Sequence, residues 1–492
     1  MSHDHDILIV GSGFSGLGMA IRLKQAGIHD FAVLERADEV GGTWQANTYP
    51  GCACDVPSHL YSFSFAPNPE WSQTYSPQPE IWHYLRRCAD RFGVRPHIHL
   101  SCGVESATWI EADRRWEVET TRGTYRARIV IAGMGPLTEP KTPELPGLDR
   151  FEGETWHSAR WNHDYDLAGK RVASVGTGAS AIQYVPAIAN TVEKLHVFQR
   201  TAPWVMPHSN RPITNVERRV YRAVPALQKL VRGGIYSARE LLVFGFVKRP
   251  RLMRMIERIA RRHIRAQIDD PQLLEQVTPD YTIGCKRILP SNRWYRALAK
   301  PNVNLNTSGV QEVRAHSVVD GDGVEHEVDA IVFGTGFHVT DIPAAHRVRG
   351  RDGKLLDDIW HGSPRAYFGS TIAGFPNLFF LLGPNTGLGH SSMVYMIESQ
   401  IAHVMAALGH MRSRGAETIE IRPEAQERHN AEIDRRMKGT VWTTGCSSWY
   451  LDDTGRNATL WPDWTWRFRR LAARLRADDY ALDVRVREPA LA

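Results

Sequence analysis

Two glycine-rich loops carry the residue types that bind dinucleotides. The first loop follows the apolar run 6–10 and contains Gly11, Gly13 and Gly16. The first glycine permits a tight turn, the second lets the backbone approach a pyrophosphate, and the third lets the next helix pack on the strand. Glu35 stands at the end of the following apolar run, where a carboxylate can accept hydrogen bonds from a ribose diol. The spacing therefore predicts a dinucleotide site.

The second loop follows the run 170–175 and repeats this spacing. The position of Glu35 is taken here by Gln199 and Arg200. A guanidinium in place of a carboxylate favours a ribose 2′-phosphate over a 2′-hydroxyl, so the second site is predicted to bind NADP(H). The alternative is an ordinary surface arginine at a strand end. The predicted contacts are Gly176, Gly178, Ala179, Ser180, Arg200 and Thr201.

A second glycine pair and an aromatic segment follow Glu35. A glycine pair after the ribose carboxylate favours FAD over NAD in the first site, because it permits another close backbone approach. Asp55 lies in this turn-rich segment, and its spacing alone fits an ordinary turn cap. The predicted FAD contacts are Gly11, Gly13, Gly16, Glu35, Gly42, Thr43, Trp44, Asp55 and Tyr61.

The elements around these loops predict an α/β fold. Each loop lies between a buried apolar strand and a helix, so we expect two Rossmann-like domains, one for FAD and one for NADP. The run 329–333 ends in a glycine turn at Gly334, and we expect it to close the first domain around its flavin. An arginine-rich stretch at about 208–280 is predicted as an inserted helical subdomain that helps to build a substrate cavity, with a peripheral membrane face as the alternative.

The predicted domains follow from a proline-rich linker at 139–146 and from the return of the strand pattern near residue 326. Residues 1–142 form the first part of the FAD domain and residues 143–325 form the NADP domain with the insertion. Residues 326–492 form the second part of the FAD domain and a tryptophan-rich tail.

Length and composition predict a soluble globular protein of two or three domains. The 492 residues are 42% hydrophobic and 23% charged, with a net charge of +6 and a pI near 9.0. No run reaches the roughly 18 apolar residues of a membrane span, and no signal peptide is evident. The basic balance fits dinucleotide phosphates, and no nucleic-acid module is evident. The six sparse cysteines indicate reduced thiols, no zinc site and a cytoplasmic location.

The stretch between the loops identifies a family. It contains Phe151, Gly153, His157 and Trp161 at the spacing F-x-G-x-x-x-H-x-x-x-W. This pattern resembles the fingerprint of the type I Baeyer–Villiger monooxygenases, a group of class B flavoprotein monooxygenases. Asn162 departs from the proline or aspartate that usually follows. The resemblance covers essentially the whole chain, and the motif around Cys285 and the tail Ser448–Asn457 look closest to the hydroxyacetophenone monooxygenase-like branch.

The resemblance implies roles that spacing left open. Arg287 matches the active-site arginine of the family, and Asp55 matches the carboxylate that holds that arginine. Lys286, with Arg200 and Thr201, matches the group around the NADP 2′-phosphate. His157 matches the fingerprint histidine, which implies conformational coupling rather than acid–base chemistry.

The implied activity is NADPH-dependent insertion of one oxygen atom of O2 beside a ketone carbonyl, giving an ester or lactone through a C4a-peroxyflavin. NADPH reduces FAD, and the arginine stabilises negative charge during oxygen transfer. The expected partners are therefore a small-molecule ketone and O2. The sequence does not indicate an oligomeric state.

Two other enzyme classes share the two loops. An N- or S-oxygenating flavin monooxygenase is the first alternative, although Asp55 and Arg287 together favour ketones. The second is a disulfide reductase, which needs a cysteine pair such as C-x-x-x-x-C beside the flavin. Cys52 and Cys54 have the wrong spacing for that pair. A protein that binds nucleotides without catalysis is a third, weaker interpretation.

Overall fold

The computed structural model describes residues 3–443 and 445–484. The strands are β1 His3–Val10, β2 Phe31–Leu34, β3 Ile98–His99, β4 Val104–Ile110, β5 Arg115–Thr120, β6 Gly123–Ala132, β7 Glu154–His157, β8 Arg171–Val175, β9 Lys194–Phe198, β10 Val205–Met206, β11 Leu289–Pro290, β12 Val303–Asn306, β13 Val310–Arg314, β14 Ser317–Asp320, β15 Glu325–Glu327, β16 Ala330–Phe333, β17 Val348–Arg349, β18 Leu378–Phe380, β19 Ala416–Ile421 and β20 Tyr480–Val484. The helices are α1 Phe14–Gln25, α2 Thr43–Ala46, α3 Gln78–Arg91, α4 Ala181–Ile188, α5 Asn215–Ala223, α6 Pro225–Glu240, α7 Met253–Arg265, α8 Pro271–Val277, α9 Trp294–Leu298, α10 Leu356–Trp360, α11 Met393–Arg414, α12 Pro423–Met437 and α13 Thr465–Ala472.

The first sheet is built around β1. Its strand order is β17-β4-β5-β6-β1-β2-β3, and β18 also pairs with β6. Strand β1 runs parallel to β2 and β6, and Ile7, Leu8 and Ile9 are buried because the sheet is covered on both faces. The carboxyl ends of β1 and β2 meet at one edge, which brings the first glycine loop beside Glu35.

The second sheet has the order β12-β9-β8-β16-β7, and its pairings are all parallel. The expectation that the strand before Gly334 closes the first domain is wrong, because β16 lies between β8 and β7 in this second sheet. The second sheet therefore extends past the predicted boundary at residue 325. Strand β18 does belong to the first sheet, so the chain returns there only after β16. With these two sheets, the predicted α/β fold class is confirmed.

The predicted helical insertion contains α5, α6, α7 and α8, and a π-helical turn at 244–248 and a 3₁₀ turn at 250–252 lie between α6 and α7. Helix α5 begins with a capping box, in which Thr214 and Glu217 each bond to the backbone of the other. Helix α7 buries Met253, Ala260 and Ile264 on one face.

Helix α11 packs on α1 and so joins the C-terminal third of the chain to the first dinucleotide unit. The two helices approach closely at Gly18, where a Cβ atom would lie 2.9 Å from Cδ1 of Ile401. A larger side chain at residue 18 would push α11 away from the loop that α1 follows.

Candidate active site

The first glycine loop forms a cradle of closely approaching backbone at its glycines. A Cβ atom on Gly16 would lie 1.8 Å from the carbonyl oxygen of Gly11, and one on Gly42 would lie 2.9 Å from Cα of Gly13. The loop after β1 and the turn before α2 therefore approach each other through bare backbone. That leaves amide groups and the N-terminus of α1 free to face an anion, which fits the pyrophosphate of FAD.

Glu35 is buried beside this cradle. Its carboxylate accepts hydrogen bonds from the backbone N–H of Ser12 (2.7 Å), the Ser12 hydroxyl (2.6 Å) and the N–H of Ala37 (2.9 Å). These bonds hold the carboxylate at the end of β2, in the place predicted for a ribose contact. Thr43 begins α2 and is exposed. The Trp44 indole donates to the Tyr61 hydroxyl (3.1 Å), which brings two of the predicted flavin contacts together.

The second glycine loop is closed in by Gly334. A Cβ atom on Gly176 would lie 2.5 Å from the Gly334 carbonyl oxygen, and a Cβ on Gly334 would lie 2.7 Å from the Tyr184 hydroxyl. Gly334 thus contributes to the second dinucleotide unit, which corrects its assignment to the flavin side. Gly178 and Ala179 are exposed, and Ser180 is half-buried at the start of α4. The loop therefore fits the pyrophosphate of NADP.

Two cations lie beside this loop. Burial lowers the pKa of Lys286, and repulsion by Arg200 lowers it further, so the two side chains are near neighbours. The ammonium of Lys286 also lies 4.8 Å from the centre of the Tyr281 ring. The Thr201 carbonyl accepts a bond from the Thr177 hydroxyl (3.3 Å), which ties this strand end to the glycine loop. Concentrated positive charge at this place fits a 2′-phosphate.

Arg287 and Asp55 form an ion pair that joins the two units. The Arg287 guanidinium donates to Oδ2 of Asp55 through Nε (3.1 Å) and Nη2 (2.5 Å). Its Nη1 donates to the carbonyl oxygen of Leu388 (2.9 Å). The side chains of Arg287 and Asp55 keep 27% and 25% of their surface exposed, so a ligand can still reach them.

Electrostatics keeps this pair ionised. The Asp55 carboxylate raises the pKa of Arg287, although burial opposes this. Burial works against ionisation of Asp55, but the positive charges of Arg287 and then Arg239 lower the pKa of Asp55 below its ordinary value. The site therefore holds a permanent cation at any working pH.

Sequence reasoning did not identify three neighbours of this pair. Arg239, on α6, acts on Asp55 and donates to the Tyr75 hydroxyl (3.3 Å). Tyr450 is buried close enough to Arg287 and Asp55 to interact electrostatically with both, and burial raises its pKa to about 12. The Leu388 carbonyl is the third. Tyr450 lies in the tail Ser448–Asn457, which carries part of the family resemblance. That resemblance is the only feature of the sequence that could have identified Tyr450.

The fingerprint residues lie at the edge of the second sheet. A Cβ atom on Gly153 would lie 2.4 Å from the Asp329 carbonyl oxygen, so only glycine fits beside β16. The ring of Phe151 also lies against the position that a Cβ atom on Gly153 would occupy. His157 ends β7, packs against Phe337 (ring centres 5.6 Å apart) and has its pKa lowered to about 4 by burial. It is therefore neutral at physiological pH and contacts the segment that leaves the second sheet.

Trp161 and Asn162 complete this stretch. Trp161 packs on Trp156 (5.7 Å between ring centres) and on Tyr184 of α4 (5.4 Å), below the second glycine loop. The Asn162 side chain accepts a bond from the N–H of Asp164 (3.1 Å). Asn162 is thus used here as a turn residue.

Two of the cysteines form a disulfide between Cys285 and Cys446, 161 residues apart. The expectation of six reduced thiols is therefore wrong for this pair, since only the fold brings the two residues together. Cys52, Cys54, Cys88 and Cys102 are free and buried. The disulfide ties the loop after the Trp442 turn to the residue that precedes Lys286 and Arg287.

Comparisons with known proteins identify the family. A family profile for pyridine nucleotide-disulphide oxidoreductases matches residues 8–232. A Baeyer–Villiger monooxygenase of Streptomyces coelicolor is 54% identical over 481 residues, which cover 97% of this chain and 93% of that protein. The chain belongs to the Baeyer–Villiger monooxygenases.

Solved structures of such monooxygenases have the same fold. Cyclohexanone monooxygenase from Rhodococcus sp. Phi1 bound to NADP+ matches with a TM-score of 0.88 and 31% identity over 99% of this chain and 100% of that chain. OTEMO in complex with FAD and NADP matches with a TM-score of 0.87 and 27% identity over 97% and 99%. The predictions of the family and of an FAD- and NADPH-dependent monooxygenase are confirmed.

The family match favours ketone oxygenation over the two alternative enzyme classes. Cys52 and Cys54 are free thiols and do not form the redox pair that a disulfide reductase needs. Within the described ranges, no helix has both the length and the apolar character to cross a bilayer.

The disulfide predicts a specific thiol count. When the protein is purified without reductant, denatured and treated with a maleimide, we expect four labelled cysteines by mass spectrometry and six after prior reduction. In a Cys446→Ser variant, the count without reductant should rise to five. Six labelled thiols in the unreduced wild-type protein would contradict the pairing.

Proposed function

We propose that this Baeyer–Villiger monooxygenase converts a small ketone to an ester or lactone at the Arg287–Asp55 pair. The observation that carries this proposal is the three-bond anchoring of Arg287, by the Asp55 carboxylate on two nitrogens and by the Leu388 carbonyl on the third. A guanidinium fixed in this way stabilises negative charge on oxygen without having to reorganise during the reaction.

The cofactors supply the redox chemistry, since bound NADPH provides the hydride and bound FAD activates O2. The protein supplies orientation and charge. Asp55 fixes the plane of the guanidinium, and its negative charge keeps Arg287 from pairing with another anion. Leu388 fixes the remaining nitrogen, so the free edge of Arg287 has one direction in which it can donate to an oxyanion.

We propose that the first glycine cradle, Glu35, Gly42, Thr43, Trp44 and Tyr61 bind FAD, and that the second loop binds NADP(H). In the second site, Arg200, Thr201 and Lys286 would receive the 2′-phosphate. Gly334 supports the second loop because it packs against Gly176. The carboxyl ends of the parallel strands in the two sheets are where such nucleotides bind in this type of fold.

We propose that the FAD domain consists of residues 1–142 and of the chain after about residue 336, with the NADP domain between them. His157 contacts the crossing segment at Phe337 and is neutral, so its role is to couple domain positions rather than to transfer a proton. Arg239 lies in the helical insertion and interacts electrostatically with the Asp55 carboxylate. It would therefore respond to the same change in domain positions.

We propose the cytoplasm as the compartment, because reduced nicotinamide cofactors are supplied there, and we propose no nucleic-acid partner. The Cys285–Cys446 disulfide is unusual for a cytoplasmic protein.

Arg287→Lys tests the proposed reaction. A lysine keeps a positive charge but cannot donate to Asp55 and Leu388 in the same fixed geometry. We expect ester formation from cyclohexanone or acetophenone to fall roughly 100-fold or more, while NADPH oxidation continues and releases hydrogen peroxide. Gas chromatography with oxygen-18-labelled O2 measures the product and shows whether one oxygen atom is incorporated.

Arg293→Lys is the matched control, because this exposed arginine lies close in sequence and its guanidinium donates to the Pro186 carbonyl (3.3 Å), away from the Arg287–Asp55 pair. It should leave ester formation unchanged. If the wild-type protein oxidises sulfides or amines but no ketone, the proposed substrate class is wrong.

Arg200→Ala and Lys286→Ala test the nucleotide preference. Each removes one positive charge from the proposed 2′-phosphate site, so the KM for NADPH should rise about tenfold or more while the KM for NADH changes little. Steady-state NADPH and NADH oxidation measures both values. Equal effects on the two nucleotides would contradict a role in 2′-phosphate binding.

A further inference from the structure

The helical insertion carries an unusual charge. Residues 211–265 contain 15 lysines and arginines against 3 aspartates and glutamates, a net charge of +12. The whole chain carries +6, so the rest of the molecule is negative, at −6. The excess of positive over negative charge in this protein therefore lies in one subdomain.

The same subdomain exposes apolar side chains. Among the described residues, 16 large hydrophobic side chains are exposed, and 10 of them lie between residues 216 and 259. Leu230 is 71% exposed, Met255 65% and Leu241 64%. Single exposed apolar residues are ordinary, but a cluster of this kind marks an interaction surface.

Helix α7 shows how charge and apolar surface are arranged. Its core face is already formed by Met253, Ala260 and Ile264. A second apolar stripe, made of Leu252, Met255 and Ile259 at helical spacing, points to solvent. This helix therefore has more apolar surface than its packing in the fold requires.

Exposed arginines flank this second stripe at the same helical spacing. They are Arg251, Arg254, Arg258 and Arg262. Glu257, the only carboxylate of α7, bonds instead to Arg261 (2.8 Å), so this helix offers the flanking arginines no anionic partner. A row of apolar side chains beside a row of unneutralised arginines is the pattern of helices that lie in a membrane interface.

The apolar surface continues along the chain. Leu241 precedes the turn at 244–248 and Phe244 begins it, and this turn packs against residues 250–252, next to α7. Phe244 is 47% exposed and contacts Trp464 edge-on (5.3 Å), and Trp466, two residues further on, is also 47% exposed. We call the set Leu241, Phe244, Leu252, Met255 and Ile259, with Arg251, Arg254, Arg258 and Arg262, the basic-apolar face.

We propose that the basic-apolar face binds the surface of an anionic lipid bilayer. The apolar side chains would enter the boundary between headgroups and acyl chains, and the arginines would reach the lipid phosphates. Charge decides between a bilayer and a second copy of this chain. A symmetric dimer through this face would bring two strongly positive surfaces together, which is unfavourable.

This proposal goes beyond catalysis but connects to it. Helix α6, which leads into the basic-apolar face, ends at Glu240, and the buried Glu240 carboxylate bonds to His390 (3.1 Å). His390 lies two residues after Leu388, whose carbonyl holds Arg287. The surface that would meet the bilayer is thus joined to the active site by a short series of contacts.

Vesicle co-sedimentation of the full-length, FAD-loaded protein tests the proposal. We expect binding to vesicles of phosphatidylcholine mixed with phosphatidylglycerol, and little binding to phosphatidylcholine alone. Raising the salt concentration from ~0.1 M to ~1 M should release the protein, because the Debye length falls from about 10 Å to about 3 Å.

Two variants should each reduce the binding. Arg254→Gln/Arg258→Gln should lower the partition coefficient roughly 30-fold, since each basic residue near an anionic surface contributes about a fivefold factor. Met255→Gln/Ile259→Gln should lower it as well, at both low and high salt. All four side chains are exposed, so folding and oxidation of a water-soluble ketone should be unchanged.

Matched controls remove the same groups elsewhere. Arg412→Gln/Arg414→Gln removes two exposed charges at the end of α11, and Val324→Gln removes an exposed apolar side chain in a turn. Both should bind vesicles like the wild type. Equal weakening by the controls, absence of vesicle binding, or a dimer in solution that Met255→Gln/Ile259→Gln dissociates would each overturn the proposal.

Discussion

The ion pair between Arg287 and Asp55 is the interaction on which the proposed active site depends. The two residues are 232 positions apart, and Asp55 follows the first glycine unit while Arg287 follows the helical insertion. Their carboxylate and guanidinium can meet only when both sheets and the turn at Leu388 are in place. A partly exposed ion pair contributes little to stability by itself, so its value lies in fixing the direction of a permanent positive charge.

The second constraint is the close approach of chain segments at glycines that leave no space for a side chain. At Gly16, Gly42 and Gly176 the chain approaches another stretch of backbone so closely that a methyl group would collide with it, and a methyl group on Gly334 would collide with the Tyr184 hydroxyl. These contacts form two cradles that can accept phosphates, and each cradle lies at the carboxyl ends of parallel strands, which are β1 and β2 in the first sheet and β8 and β16 in the second. Asp55 follows the first cradle along the chain, whereas Arg287 lies in the chain between Gly176 and Gly334 of the second.

Local features of the sequence predicted the parts of the site that depend on local spacing. The glycine loops, Glu35 and Arg200 could be found because strand, turn and helix follow one another along the chain. Gly334 was assigned to the wrong unit because a strand that ends in a glycine turn looks the same in either sheet, and only pairing with β8 and β7 distinguishes them. The Cys285–Cys446 disulfide could not be predicted for the same reason.

The central claim is that Asp55 acts through Arg287, and a double-mutant cycle on the rate of ester formation tests it most directly. The cycle compares Asp55→Asn, Arg287→Gln and the double variant with the wild type, each loaded with FAD. If Asp55 serves to hold Arg287, the double variant should be about as slow as Arg287→Gln alone, because the carboxylate has nothing left to position. Independent roles would instead make the two losses multiply, and that result would contradict the account.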